Sequence, residues 1–342
     1  MRHSGLILVV LGLLAAASLG GAYQVLVASA PSEAAPPARL FAALDDAALA
    51  RVAQVRITYG LGLAGVQPLT LTRTPEGGFT IAEYGDYPAD AGELARLLAA
   101  LQRLEPLARK TARPEWHRRL GLVAPQELGQ AIQIDVRDEM GRELAGLLIG
   151  KPQESEGARA LKGARAETLA QERFYVRRLN EAQSFLVRTA WRVPREPEQW
   201  LSQTLPWLRA DEVRQLRVRN LEGGRRIFAR TAPDLPFAGA SGALPAGDVE
   251  TLFAALRRLG VMRVARAETM AARTRTAPKA TLQLESFDGE QLTLEITPLG
   301  PLSQLRFAAS GSARAQTWQA RYNPWVYLFQ EAALAPFLLD AP

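Results

Sequence analysis

The chain has 342 residues, enough for two domains of ordinary size, and its 48% hydrophobic and 22% charged content is that of a folded globular protein. It contains no cysteine, which excludes a disulfide framework, thiolate metal sites and a lipidated N-terminal cysteine. The net charge is +6, but only four of the 41 basic residues are lysine (Lys110, Lys151, Lys162, Lys279), and the arginines are scattered, so nucleic acid is not an expected partner.

Arg2 and His3 precede an apolar run from Leu6 to Val27, and no formal charge occurs between Arg2 and Glu33. A helix of about 20 apolar residues crosses the hydrocarbon layer of a bilayer. The only positive charges lie before the run, so the N-terminus is expected inside and the body outside. A cleaved signal peptide is the competing reading, because Ala28-Ser29-Ala30 has the small-x-small form of a cleavage site. Pro31 directly after it, and the length of the run, favour an uncleaved single-pass anchor in a bacterial inner membrane, with an extracytoplasmic or periplasmic body. The chain then divides into an anchor (1–30), a proline-bearing linker (31–44) and two units, 45–208 and 209–342.

The two units repeat one pattern. Val52-Ala53-Gln54-Val55-Arg56-Ile57 predicts a strand with Val55 and Ile57 on one face, and Val213-Arg214-Gln215-Leu216-Arg217-Val218 predicts its copy. A helix follows in each. Leu94, Leu97, Leu98, Leu101 and Leu104 form one stripe, and Val249, Leu252, Phe253, Leu256 and Leu259 form the other. Asp90 with Glu93 predicts a capping box for the first helix. Ile132-Gln133-Ile134-Asp135 recurs as Leu282-Gln283-Leu284-Glu285, and the separation between copies falls from 161 to 155 to 150 residues along the chain. Glu76-Gly77-Gly78 and Glu222-Gly223-Gly224 predict hairpin turns and antiparallel pairing. Lys151 to Arg173 is polar and aperiodic and reads as a loop. Each unit is expected to close with an aromatic helix, around Trp200-Leu201 and around Trp325 to Phe329. The fold class expected is α+β: an N-terminal transmembrane helix, then two tandem, internally duplicated units of mostly antiparallel sheet with packed helices.

Few groups suit chemistry. Gly60-Leu61-Gly62-Leu63-Ala64-Gly65 satisfies G-x-G-x-x-G, yet Pro68 and a β-rich run follow where a dinucleotide site needs a helix, so it reads as a hairpin loop. His3 and His117 are the only histidines, no Gly-x-Ser-x-Gly elbow accompanies them, and His117 reads as a surface or capping residue. Glu83, Asp86 and Asp90 lie close in sequence, but their spacing fits no EF-hand. No catalytic residue, metal site or cofactor is therefore expected. Arginines crowd the hairpin that begins at Val213, and Arg217, Arg219, Arg225 and Arg226 form a candidate patch for an acidic partner or anionic headgroups. Trp191, Trp200, Trp207 and Trp325 read as packing residues.

One resemblance covers much of the body. The apolar N-terminal run, the helix beginning Tyr87-Pro88-Ala89-Asp90, then Arg119-Leu120-Gly121-Leu122, Leu147-Leu148-Ile149-Gly150-Lys151 and Phe174-Tyr175-Val176-Arg177-Arg178 occur in an order that resembles bacterial domain-of-unknown-function family 4340. The resemblance covers roughly residues 45–270. Members are often encoded beside subunits of ABC transporters of the gliding-motility auxiliary kind. It implies a non-catalytic, membrane-anchored accessory or scaffold protein with protein partners in an envelope or ABC-transporter complex, and it supplies no catalytic residues. Two other expectations stand beside it: a periplasmic module binding a glycan, lipid or peptide in a cleft between the repeats, and a carboxylate-dependent hydrolase using Glu83 or Asp86.

Overall fold

A computed structural model describes residues 36–153, 172–189, 191–220, 225–239, 242–243, 246–271 and 276–338. The N-terminal half begins with a short helix, α1 (Asp46–Ala50), followed by β1 (Val52–Gly60), β2 (Val66–Arg73), β3 (Phe79–Ile81) and β4 (Tyr87–Pro88). Helix α2 (Ala91–Gln102), β5 (Pro106–Arg109) and α3 (Pro114–Leu120) come next, then β6 (Ile132–Asp138), β7 (Glu143–Pro152), β8 (Glu172–Arg178) and β9 (Ser184–Thr189). The nine strands form one sheet in the order β4-β3-β2-β1-β6-β7-β8-β9-β5, with every pairing antiparallel.

The C-terminal half runs β10 (Val213–Asn220), β11 (Arg225–Ala229), β12 (Ala238–Gly239), β13 (Gly242–Ala243), α4 (Ala246–Arg258), β14 (Arg263–Arg266) and α5 (Ala267–Ala271). It continues with β15 (Ala280–Ser286), β16 (Gln291–Leu299), β17 (Leu302–Ser310), α6 (Ala313–Tyr322), β18 (Trp325–Gln330) and α7 (Glu331–Leu338). Its nine strands are ordered β13-β12-β11-β10-β15-β16-β17-β18-β14, the same path as in the first sheet.

The pairing fixes residue equivalence more closely than sequence similarity does. Val55 faces Val136 and Ile57 faces Ile134, while Leu216 faces Leu284 and Val218 faces Leu282. Ile134 therefore corresponds to Leu282, two residues away from the match that the Ile-Gln-Ile and Leu-Gln-Leu motifs suggest. A two-residue slip keeps every side chain on its own face, so hydrophobic alternation alone does not detect it. Both sheets carry a bulge at the same place, between Val52 and Gln54 and between Val213 and Gln215. An arginine spans each bulge. Arg73 Nε donates to Val52 O at 2.6 Å and its guanidinium lies 5.2 Å from the Phe79 ring centre. Arg230 Nε donates to Val213 O at 2.8 Å and lies 4.4 Å from Phe237.

Local chemistry explains the helices. The Asp90 carboxylate accepts from Glu93 N at 2.7 Å and caps α2, which buries Leu94, Leu97 and Leu101 against the sheet. The expected capping box is half made, because the Glu93 carboxylate turns instead to Arg96 and to Trp191 Nε1. Ser312 caps α6, accepting from Ala315 N at 3.2 Å.

The α+β expectation with a leading membrane helix is corrected in three respects. The chain is dominated by two large antiparallel sheets, with helices as short covers. Among the described residues no helix is long and apolar enough to cross a membrane, and the Leu6–Val27 run lies outside them. The two expected closing helices are also absent. Pro197–Trp200 is a single 3-10 turn, and Trp325–Gln330 is β18, with Trp325 through Phe329 all buried. A short apolar run buried on both faces lacks a helical stripe, and its β-branched and aromatic residues suit a central strand. Of the expected loop from Lys151 to Arg173, residues 154–171 lie outside the described residues, and Lys151 and Pro152 belong to β7. The Glu222-Gly223-Gly224 turn also lies outside them.

The halves meet without a gap. Tyr87 of β4 packs edge-on against Trp325 at 5.0 Å and Tyr327 at 6.1 Å. Arg266 Nε donates to Gly85 O at 2.7 Å while its guanidinium lies 4.2 Å from the Trp325 ring centre. Gln203 accepts from Val261 N at 2.6 Å. One continuous apolar core consequently runs through both halves, and the cleft expected between the repeats is filled by aromatic side chains.

Candidate functional site: an apolar groove under the first sheet

A concave feature lies within the first half, among the described residues. The inner face of its sheet alternates outward polar and inward apolar residues, as an antiparallel sheet with one covered face must. Inward-facing Ile134, Leu147, Val176 and Val187 form a buried floor, and Leu101 of α2 with Leu104 just after the helix forms the opposite wall. Ile132, Ile149, Phe174, Trp191 and Val193 stand half-buried toward the mouth. The space enclosed is about 550 Å³, within the range of sites that bury a small ligand or a few side chains.

Charged groups are confined to the rim. Lys151, Arg192 and Arg195 are exposed at the mouth, and Arg103 and Arg188 border an adjoining smaller hollow. Burial pushes the Tyr59 phenol above its ordinary range, so it stays a neutral hydrogen-bonding group. It accepts from Trp200 Nε1 and donates to Pro194 O, both at 2.8 Å, and so fixes the segment carrying Trp191 and Val193 over the groove. A floor of branched aliphatic side chains has no acid–base or nucleophilic capacity. What this arrangement does chemically is remove apolar surface from water beneath a cationic rim.

The arginine hairpin is only partly the patch expected. Arg219 pairs directly with Arg225 and Arg217 with Ile227, placing Arg217, Arg219 and Arg225 on one outward face of β10 and β11. Arg226 faces Val218 and shares the opposite face with buried Phe228, so it does not belong to that surface. The period-2 geometry of a strand separates adjacent residues, which is why four arginines close in sequence cannot share one face. Arg217 is also held by Glu285 at 3.5 Å. Like charges directly opposite on paired strands are destabilising, so Arg225→Glu is expected to raise stability by about 0.2–1 kcal/mol in low-salt thermal unfolding. A neutral or destabilising result would show that Arg219 and Arg225 are splayed apart by solvation.

The other residues singled out in the sequence have structural work. Glu83 accepts from Thr70 N at 2.7 Å, Asp90 caps α2, and Asp86 sits at a left-handed turn position with φ 66°. These three carboxylates do not converge, and among the described residues no group of metal-ligating side chains forms. His117 is buried rather than on the surface. Its Nε2 lies 2.9 Å from Ala182 O, tying α3 to the β8–β9 turn, and burial lowers its pKa, helped by nearby Arg177. Gly60 ends β1, and Leu61 to Gly65 is a loop containing one 3-10 turn, with Gly65 at φ 94°.

Sequence reading missed the groove, because its lining comes from seven elements and the segments between them, spread between Tyr59 and Arg195. The one signal available was Trp191 and Val193, apolar residues in a segment with no strand or helix period. No protein-family model, curated protein or solved structure matches the chain.

Proposed function

We propose that this protein is a non-catalytic accessory or scaffold subunit of an extracytoplasmic envelope complex, and that it engages a partner through the groove of its first half. The observation that carries the reading is the composition of the groove: a wholly aliphatic and aromatic interior with basic groups only at its mouth. Such a site gains free energy by burying apolar surface, at about 25 cal/mol per Å², and orients its occupant through the rim charges. Support for the location comes from the uncharged run between Arg2 and Glu33. Support for the class of complex comes from the motif order that resembles family 4340, whose members are often encoded beside ABC-transporter subunits. A glycan is disfavoured as the occupant, because a sugar needs several convergent polar groups and the floor offers none.

A photo-crosslinking amino acid at Val193, in the full-length chain expressed in its native cells, tests the assignment. The expected result is a discrete adduct to one envelope protein, absent when the crosslinker is moved to Met140 on an exposed turn. Adducts only within the chain, or equal adducts from both positions, would overturn it.

A further inference from the structure

The two halves differ at one place, and that difference identifies what the groove accepts. The registers make β6, β8, β9 and α2 of the first half equivalent to β15, β17, β18 and α4 of the second. Phe174 pairs with Val187, and Ser303 pairs with Phe329, so Val187 corresponds to Phe329 and the last residue of β9, Thr189, corresponds to Glu331. At Glu331 the second half starts α7, which packs on α4, β15, β17 and β18 and buries Leu334 and Phe337 completely or nearly so. Beyond Thr189 the first half instead carries Trp191 and Val193 toward the second half, and among the described residues no second helix joins α2 on its inner face. The groove is the counterpart of the seat that α7 occupies.

The geometry points to a partner helix as the occupant: a short amphipathic segment with two large apolar residues one turn apart and an acidic residue at its N-terminal end. The spacing follows from Leu334 and Phe337, three residues apart, the arrangement by which a helix presents neighbouring side chains to a groove. The acidic residue follows from charge. In the second half Glu331, at the first turn of α7, meets Lys279 at 3.3 Å. In the first half Lys151 and Arg195 stand exposed at the mouth with the same sign as Lys279. The proposal rests on the reading that the groove is the partner site, and it supplies the chemistry of the partner.

The test uses a fluorescent peptide with the sequence of residues 329–340 and the full-length chain held in lipid nanodiscs. Binding is expected to be saturable, and to weaken roughly tenfold to hundredfold when Leu334 and Phe337 of the peptide become alanine. Val187→Asp, which places a charge on the apolar floor, is expected to abolish binding. Should that variant fold poorly, Val193→Asp places the same charge at the half-buried mouth and must reduce affinity with the melting transition unchanged. Peptide binding that survives both substitutions, or no binding to the wild-type chain, overturns the proposal. So does groove-dependent binding of a fluorescent fatty acid without peptide binding, which would make the occupant an acyl chain. The crosslinking at Val193 is read separately: an envelope adduct without peptide binding leaves the scaffold assignment standing and removes the helix, while peptide binding without an adduct does the reverse.

Discussion

Replacing Trp200 with alanine is expected to destabilise the protein by about 3–5 kcal/mol, the range for deleting a fully buried tryptophan. The side chain has no exposed surface and lies edge-on to Trp191 at 6.3 Å. Its Nε1 donates to the Tyr59 hydroxyl, which in turn donates to Pro194 O, and its carbonyl accepts from Asp90 N at 2.7 Å. One residue thus joins β1, the start of α2 and the segment that forms the far wall of the groove. Loss of the indole leaves a cavity and a buried phenol short of one partner. Trp200→Phe keeps most of the packing and removes the hydrogen bond, so its cost should be nearer ~1 kcal/mol. Urea unfolding of both variants checks the expectation, and a cost below about 1 kcal/mol for the alanine variant would mean that the cavity collapses on mutation.

The second large effect concerns Glu290. This carboxylate is buried, with 3% of the residue exposed, where the turn after β15 meets α6. It accepts from Ser312 Oγ at 2.5 Å and Arg314 Nε at 2.7 Å, and Arg314 Nη1 reaches on to Glu212 at 3.0 Å. The Arg314 guanidinium holds the Glu290 carboxyl below its usual range, with further help from Ser312 and Ser286 and against the cost of burial. Glu290→Ala removes the charge that Arg314 answers. Arg314 is partly exposed, so the cost should fall below the ~3–5 kcal/mol of a fully buried pair, at about 2–3 kcal/mol.

The same contact sets a pH dependence. Between the lowered folded pKa and the unfolded value of 4.5, the unfolded chain binds more protons than the folded one. Stability from this group is therefore complete above pH 4.5 and is lost as pH falls through the folded pKa. In Glu290→Ala the acid limb of the stability–pH curve should flatten relative to wild type; parallel limbs would show that other carboxylates control acid unfolding.

Part of this was legible in the residues. Leu94, Leu97 and Leu101 lie on one stripe, and Asp90 has the geometry of a cap, so α2 is readable from its own sequence. The strands at Val55 and Leu216 are readable for the same reason, since a period is a local property. The run from Trp325 to Phe329 was not, because a segment buried on every side carries no period. The arginine patch was overdrawn at Arg226, because proximity in sequence does not say which face a strand residue takes until its partner is known.

By itself the sequence determined the chemistry available: no thiol, two histidines, a basic surface rich in arginine, and two recurring sets of apolar spacings. Those properties belong to residues and their near neighbours. Tertiary structure alone decided where an apolar surface stays uncovered. Val176 and Val187 look like any core valines, and Leu334 and Phe337 like any terminal apolar pair, until the registers of β8–β9 and β17–β18 are superposed. The second sheet is then seen to carry a helix that the first lacks. The physical reason is that burial is a relation between distant segments, and a space left open between seven elements has no sequence of its own.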